Sequence, residues 1–142
     1  AFKTEFEKAN FVKEKLCEIK AQYPIEKIYI EKPFMFFKSG GSSAKTMAAL
    51  QRFNGILSWI VAEVFGIEPK YLTAAQARKL LKITINRDEK TKQQIMKWIL
   101  DNVPNFSVEY TRFGNPKPKY FDIADATVVA KAGLVKLNER KS

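Results

Sequence analysis

At 142 residues, 46% hydrophobic and 28% charged, the chain has the make-up of one folded domain over residues 1–142 with a real core. Lys and Arg number 25 against 15 Asp and Glu, a net charge of +10 that favours a polyanion, chiefly DNA or RNA, as partner. With no histidine and a single cysteine, Ser-His-Asp and Cys-His catalysis, His-ligated zinc and internal disulfides are excluded, which leaves carboxylates, lysines, hydroxyls and oxygen-bound hard cations.

Phe6, Ala9, Val12, Leu16 and Ile19 recur at steps of three and four, marking an amphipathic helix over about residues 3–22. Cys17 falls on this pattern and is expected in the core. Tyr23-Pro24 ends the helix, because a residue before proline avoids the α region. The chain opens at Ala1, inside a helix pattern, so a preceding segment is expected.

Ile28-Tyr29-Ile30 then reads as a strand buried on both faces of a sheet, over residues 27–31. It ends on Glu31 and opens into an aromatic loop, Pro33 to Phe37. Ligands collect at the carboxyl ends of such strands. A desolvated carboxylate there needs a positive partner, either a divalent metal or, at the surface, Lys32.

Residues 38–43, KSGGSS, form a flexible linker in which Ser42 or Ser43 can cap the next helix. That helix is expected from about Ala44 to Phe65, with Leu50, Phe53, Leu57, Ile60, Val61 and Val64 as its buried stripe. Gly55 inside it suggests close approach of another backbone, and Gly66 is the C-cap. The longest apolar run, Ile56 to Ile67, is interrupted by Glu63 and is too short to span a membrane.

Lys70 to Thr73 reads as a second short strand and Ala74 to Lys82 as a brief helix bearing Arg78, Lys79 and Lys82. A further helix follows Asn86-Arg87-Asp88 and runs to about Asn102. Its apolar side is Ile95, Met96, Ile99 and Leu100, and Lys90, Lys92 and Lys97 are polar. Residues 106–110 alternate like an exposed strand or loop, and Phe113 to Tyr120 is a surface loop. The last helix is expected to start near Asp122 and to carry Ala126, Val129, Ala130 and Leu134. Residues 136–142 are expected to be a flexible tail.

The alternation of helices and strands predicts an α/β protein whose sheet lacks its N-terminal strands in this chain. Asp122 and Asp125, at i and i+3, share one face of the last helix. An N-cap and first-turn role would account for one of them. Three carboxylates from separate segments would suit two divalent cations about 3.5–4 Å apart, the arrangement that cuts phosphodiesters.

The segments IYIEKPFMF, FNGILSWIVAEVFG, YLTAAQARKLLK, KTKQQI and DIADATVVAKA, in this order, resemble the RuvC family of Holliday junction resolvases. The likeness runs from the first helix to about Ala132. It is most specific at the strand-end Glu followed by Phe and at the Asp-x-x-Asp-Ala helix start. It implies an RNase H-like three-layer fold and a Mg²⁺- or Mn²⁺-dependent homodimeric endonuclease. Such an enzyme resolves four-way DNA junctions during recombination and repair, in the cytoplasm of a bacterial or phage-infected cell or in an organelle. The resemblance assigns Glu31, Asp122 and Asp125 to the metals. Lys92 and Arg78 or Lys79 would stand close to the scissile phosphate, where Lys92 would serve catalysis. Phe34 would be an aromatic wedge at the branch, with Lys38, Lys82 and Lys90 among the DNA contacts. On the residues alone, Phe34 is equally a loop residue covering the core, and the cations are equally solvated helix faces. The family's first acid lies in a D-x-G strand; this chain has no Asp-x-Gly, so that strand is expected upstream. A catalytically incomplete junction-binding protein is the alternative.

Overall fold

The structure is a computed structural model that describes residues 2–33 and 44–141, the last two by backbone alone. The chain divides into two compact units, Ala1–Thr73 and Ala74–Ser142.

In the first unit, helix α1 spans Glu5–Gln22, strand β1 Tyr29–Glu31, helix α2 Ala44–Phe65 and strand β2 Lys70–Leu72. Thr4 caps α1, its Oγ1 accepting the Glu7 N–H at 3.1 Å, while the Glu7 carboxylate accepts the Lys3 N–H. Ala9, Ile60 and Val64 form the buried centre between α1 and α2, with Leu16, Phe53, Ile56 and Phe65 packed around them. Arg52 of α2 donates two hydrogen bonds of 2.9 Å to Glu5 of α1. This hydrogen-bonded guanidinium holds the Glu5 carboxyl below its usual value. Phe6, Ile19, Leu50 and Cys17 are exposed, contrary to the expected helix stripes and to the expected burial of the thiol.

β1 and β2 pair in parallel, Tyr29 opposite Lys70 and Glu31 opposite Leu72, with α2 as the connection. Two side chains of α2 tie it to both strands. Asn54 Nδ2 donates to the Glu31 carbonyl at 3.1 Å, and Tyr71 donates its hydroxyl proton to Ser58 Oγ at 2.7 Å.

In the second unit, helices α3 (Ala74–Leu80), α4 (Thr91–Asn102) and α5 (Lys119–Lys141) pack together, α3 and α4 each against α5. Its buried hydrophobic residues are Ala77, Ile95, Met96, Ile99, Ala124, Val128, Val129 and Ala132. Leu100, Ala126, Ala130 and Leu134 face solvent instead. Residues 106–110 are the loop of the two expected alternatives, with a single antiparallel bridge joining Tyr110 to Pro116. α5 starts at Lys119, just after Pro118, so Asp122 lies within the first turn rather than at its cap. The helix also continues through residues 136–141, where a frayed tail was expected.

The RNase H-like three-layer α/β fold is therefore not what this chain adopts. The described residues are mostly helical, with only two short parallel strands. Proline sets part of the limit. Pro33 stands two residues after β1 and Pro69 immediately before β2, and neither has an N–H to extend a ladder. Nor is β1 sandwiched: Ile28, Tyr29 and Ile30 are half-buried and Glu31 is exposed. Among the described residues, no helix is long and apolar enough to cross a membrane.

Gly55 is not a point of close approach. A Cβ built there meets nothing within 4 Å among the described residues. Gly55→Ala is therefore expected to stabilise the protein by about 1 kcal/mol, because alanine lowers the entropy cost of the helix without a clash. Urea unfolding measures this; a loss of stability would reveal a crowded neighbour.

Candidate functional site

The chemistry-bearing residues of the second unit gather around the first two turns of α5. Asp125 sits one turn before Val128 and Val129, at the edge of the buried face, while Asp122 one turn earlier is exposed. Burial raises the Asp125 carboxyl above its ordinary value, and the charge of Asp122 raises it further. Lys92 of α4 and Arg78 of α3 pull in the opposite direction. Three helices thus contribute to the surroundings of Asp125, where the charges of Asp122, Lys92 and Arg78 all act on it without a salt bridge to it among the described residues.

The turn that presents Lys92 is organised by Gln94. Its Oε1 accepts the Asn86 N–H at 2.7 Å, and its Nε2 donates to the carbonyls of Asn86 and Glu89 at 2.8 and 3.0 Å. Asn86 in turn accepts the Asp88 N–H through Oδ1 at 3.0 Å. This network stands where a side-chain cap would otherwise act. Lys90 occupies the N-cap of α4, exposed and with no capping bond from its side chain.

α3 ends in a Schellman turn. The Ile83 N–H donates to the Arg78 carbonyl at 2.9 Å and the Lys82 N–H to the Lys79 carbonyl at 3.1 Å. The position that usually holds glycine is Lys82, with φ of 58°. α3 consequently stops at Leu80, short of the expected end at Lys82, which lies outside it. An open groove of about 500 Å³ follows this turn, lined by Arg78, Lys79, Lys82 and Thr84 with Ala75, Ile83 and Ile85. Three cations and a hydroxyl line it, with no acid, which suits an anion such as a phosphate.

Of the residues singled out from sequence, Asp122, Asp125, Lys92 and Arg78 are brought together, and Arg78, Lys79 and Lys82 share the groove. Glu31 belongs to the first unit, exposed at the carboxyl end of β1. Phe34 and Lys38 lie outside the described residues. Thr84 and the ordering role of Gln94 were not anticipated. For Gln94, the cue was a side chain with both donor and acceptor one turn inside a helix that follows an Asn-Arg-Asp turn.

Carboxylate oxygens are the right donors for Mg²⁺ or Mn²⁺, and magnesium commonly takes one or two of them together with substrate phosphate and water. Asp122 and Asp125 fit that requirement as a pair. No group of three His, Cys, Asp or Glu side chains placed to hold a metal ion occurs among the described residues. Comparison with protein-family models, with curated proteins and with solved structures returned no match.

Proposed function

We propose that this chain is a metal-dependent endonuclease that hydrolyses a phosphodiester at a four-way DNA junction. The kinship with RuvC resolvases is proposed on the sequence motifs alone. The observation that carries the reading is that Asp125, half-buried on α5, feels the charges of Asp122, Lys92 and Arg78 in the second unit. Burial and the neighbouring charge of Asp122 make ionised Asp125 costly, and a bound cation would offset that cost. When bound to them, Mg²⁺ or Mn²⁺ would supply Lewis-acid stabilisation of the charge that develops on the phosphate. Arg78 offers a planar fork of donors to phosphate oxygens, and Lys92 a mobile ammonium that offsets the remaining charge. The net charge of +10 draws the polyanion to the surface from a distance. Paired cuts across a symmetric junction require two such sites, hence a homodimer working in the cytoplasm.

A second reading, a branched-nucleic-acid binder without cleavage, is favoured by the groove of Arg78, Lys79 and Lys82, which needs no metal to hold phosphate. One experiment separates the two. A labelled four-way junction is incubated with Mg²⁺ and either wild type or Asp122→Asn, with binding followed in parallel by gel shift in EDTA. Nicking by wild type that falls on the order of 100-fold in the variant supports the nuclease. Salt-sensitive binding without nicking supports the binder, and absence of both rejects each reading. Glu31→Gln in the same assay tests the third acid that the sequence suggests.

A further inference from the structure

The loop ahead of α5 is a small, well-tied hairpin whose tip the proposed chemistry does not use. The Lys117 N–H donates to the Glu109 carbonyl at 2.9 Å, and the Thr111 N–H to the Asn115 carbonyl at 2.7 Å. Across the tip, the Gly114 N–H donates to the Thr111 carbonyl at 2.9 Å and the Phe113 N–H to Thr111 Oγ1 at 3.3 Å. Gly114, with φ of 84°, supplies the left-handed residue that follows a type I turn in three-residue hairpins. An ion pair of 3.2 Å between Lys117 and Glu109 spans the base.

The tip carries Phe113, 77% exposed, with the Arg112 guanidinium 4.8 Å from its ring centroid. Tyr110, 52% exposed, stands lower on the same hairpin. A single exposed aromatic ring is ordinary. This one is held at the end of a hydrogen-bonded turn, beside a cation already layered on it. The charged residues of the loop are Arg112, Lys117 and Lys119 against Glu109 alone, and Glu109 is paired with Lys117. An apolar protein partner would find one ring among charges and amides. A polyanion with flat rings would find both of its needs met, because bases stack on aromatic faces and phosphates meet Arg and Lys.

We propose that Arg112 and Phe113 form a stacking platform for an unpaired base of single-stranded nucleic acid. The proposal rests on the nucleic-acid reading of the chain but not on metal or on cleavage. The test is fluorescence anisotropy of a labelled oligothymidylate and of an abasic strand of the same length, in EDTA, with wild type, Phe113→Ala and Phe113→Trp. Wild type should prefer the strand with bases. Phe113→Ala should weaken binding to it by about tenfold and leave the abasic strand unaffected. Phe113→Trp should keep the affinity, with indole emission quenched on binding. An equal loss on both strands, or no loss on either, overturns the platform while leaving nucleic-acid binding intact. Failure of wild type to bind either strand also overturns the platform, while the junction gel shift decides the nucleic-acid reading separately. Because the ring is exposed, thermal unfolding of Phe113→Ala should match wild type, which separates loss of stacking from loss of fold.

Discussion

Ile99→Ala is expected to destabilise the second unit by about 2–5 kcal/mol, measured as a lowered urea midpoint with an unchanged slope. Ile99 is fully buried and is the largest side chain of which that is true among the described residues. It lies on α4, which packs against α5. The buried hydrophobic residues of α5 are Ala124, Val128, Val129 and Ala132, and α3 contributes Ala77. Short and β-branched side chains like these have few rotamers with which to reach into a new void, so the cavity should persist. Ile99→Val, removing one methylene, should cost only about 1 kcal/mol. Near-equal losses in the two variants would show that the site collapses, contrary to this account.

Asp125→Asn is expected to move activity and stability in opposite directions. If Asp125 holds the cation, junction nicking should fall on the order of 100-fold. Stability should rise at neutral pH. The folded-state pKa of Asp125 is raised by burial first and by Asp122 second, so folding favours the protonated acid. The group's contribution is therefore fully present below its unfolded value, about 3.9, and is lost as pH rises through the higher folded value. Asparagine has no such loss. Thermal unfolding midpoints of the two proteins should accordingly converge near pH 3 and separate as pH rises. Adding Mg²⁺ should raise the midpoint of wild type more than that of the variant. A pH-independent gap, or a variant less stable at pH 7, would contradict the assigned surroundings of Asp125.

The parts of the fold that could be read in advance are those where periodicity and punctuation agree. The extent of α2 was legible, closing at Gly66 with the left-handed φ expected of a C-cap, although Leu50 of its stripe is exposed. α5 was misjudged because an Asp at a helix start looks like a cap; Pro118, favoured in a first turn, was the better marker. Its C-terminal stretch looked too polar to persist, yet Val135 and Leu137 are half-buried and the helix carries on. The sheet was overestimated because three apolar residues in a row signal burial without saying how many strands will supply it. At the candidate site, the spacing of Asp122 and Asp125 predicted a shared face, and the charge of Asp122 acts on the Asp125 carboxyl. That Lys92 and Arg78 would arrive beside them depends on how α3 and α4 dock on α5, which no local pattern encodes.

Lys82 leaves this chain with a conflict at one position. A left-handed backbone costs a lysine roughly 1–2 kcal/mol that glycine would not incur. An engineer seeking heat tolerance would therefore choose glycine at residue 82 and gain it with one codon. The same exchange would strip an ammonium from the groove it lines, so ruggedness and grip on an anion cannot both be maximised there.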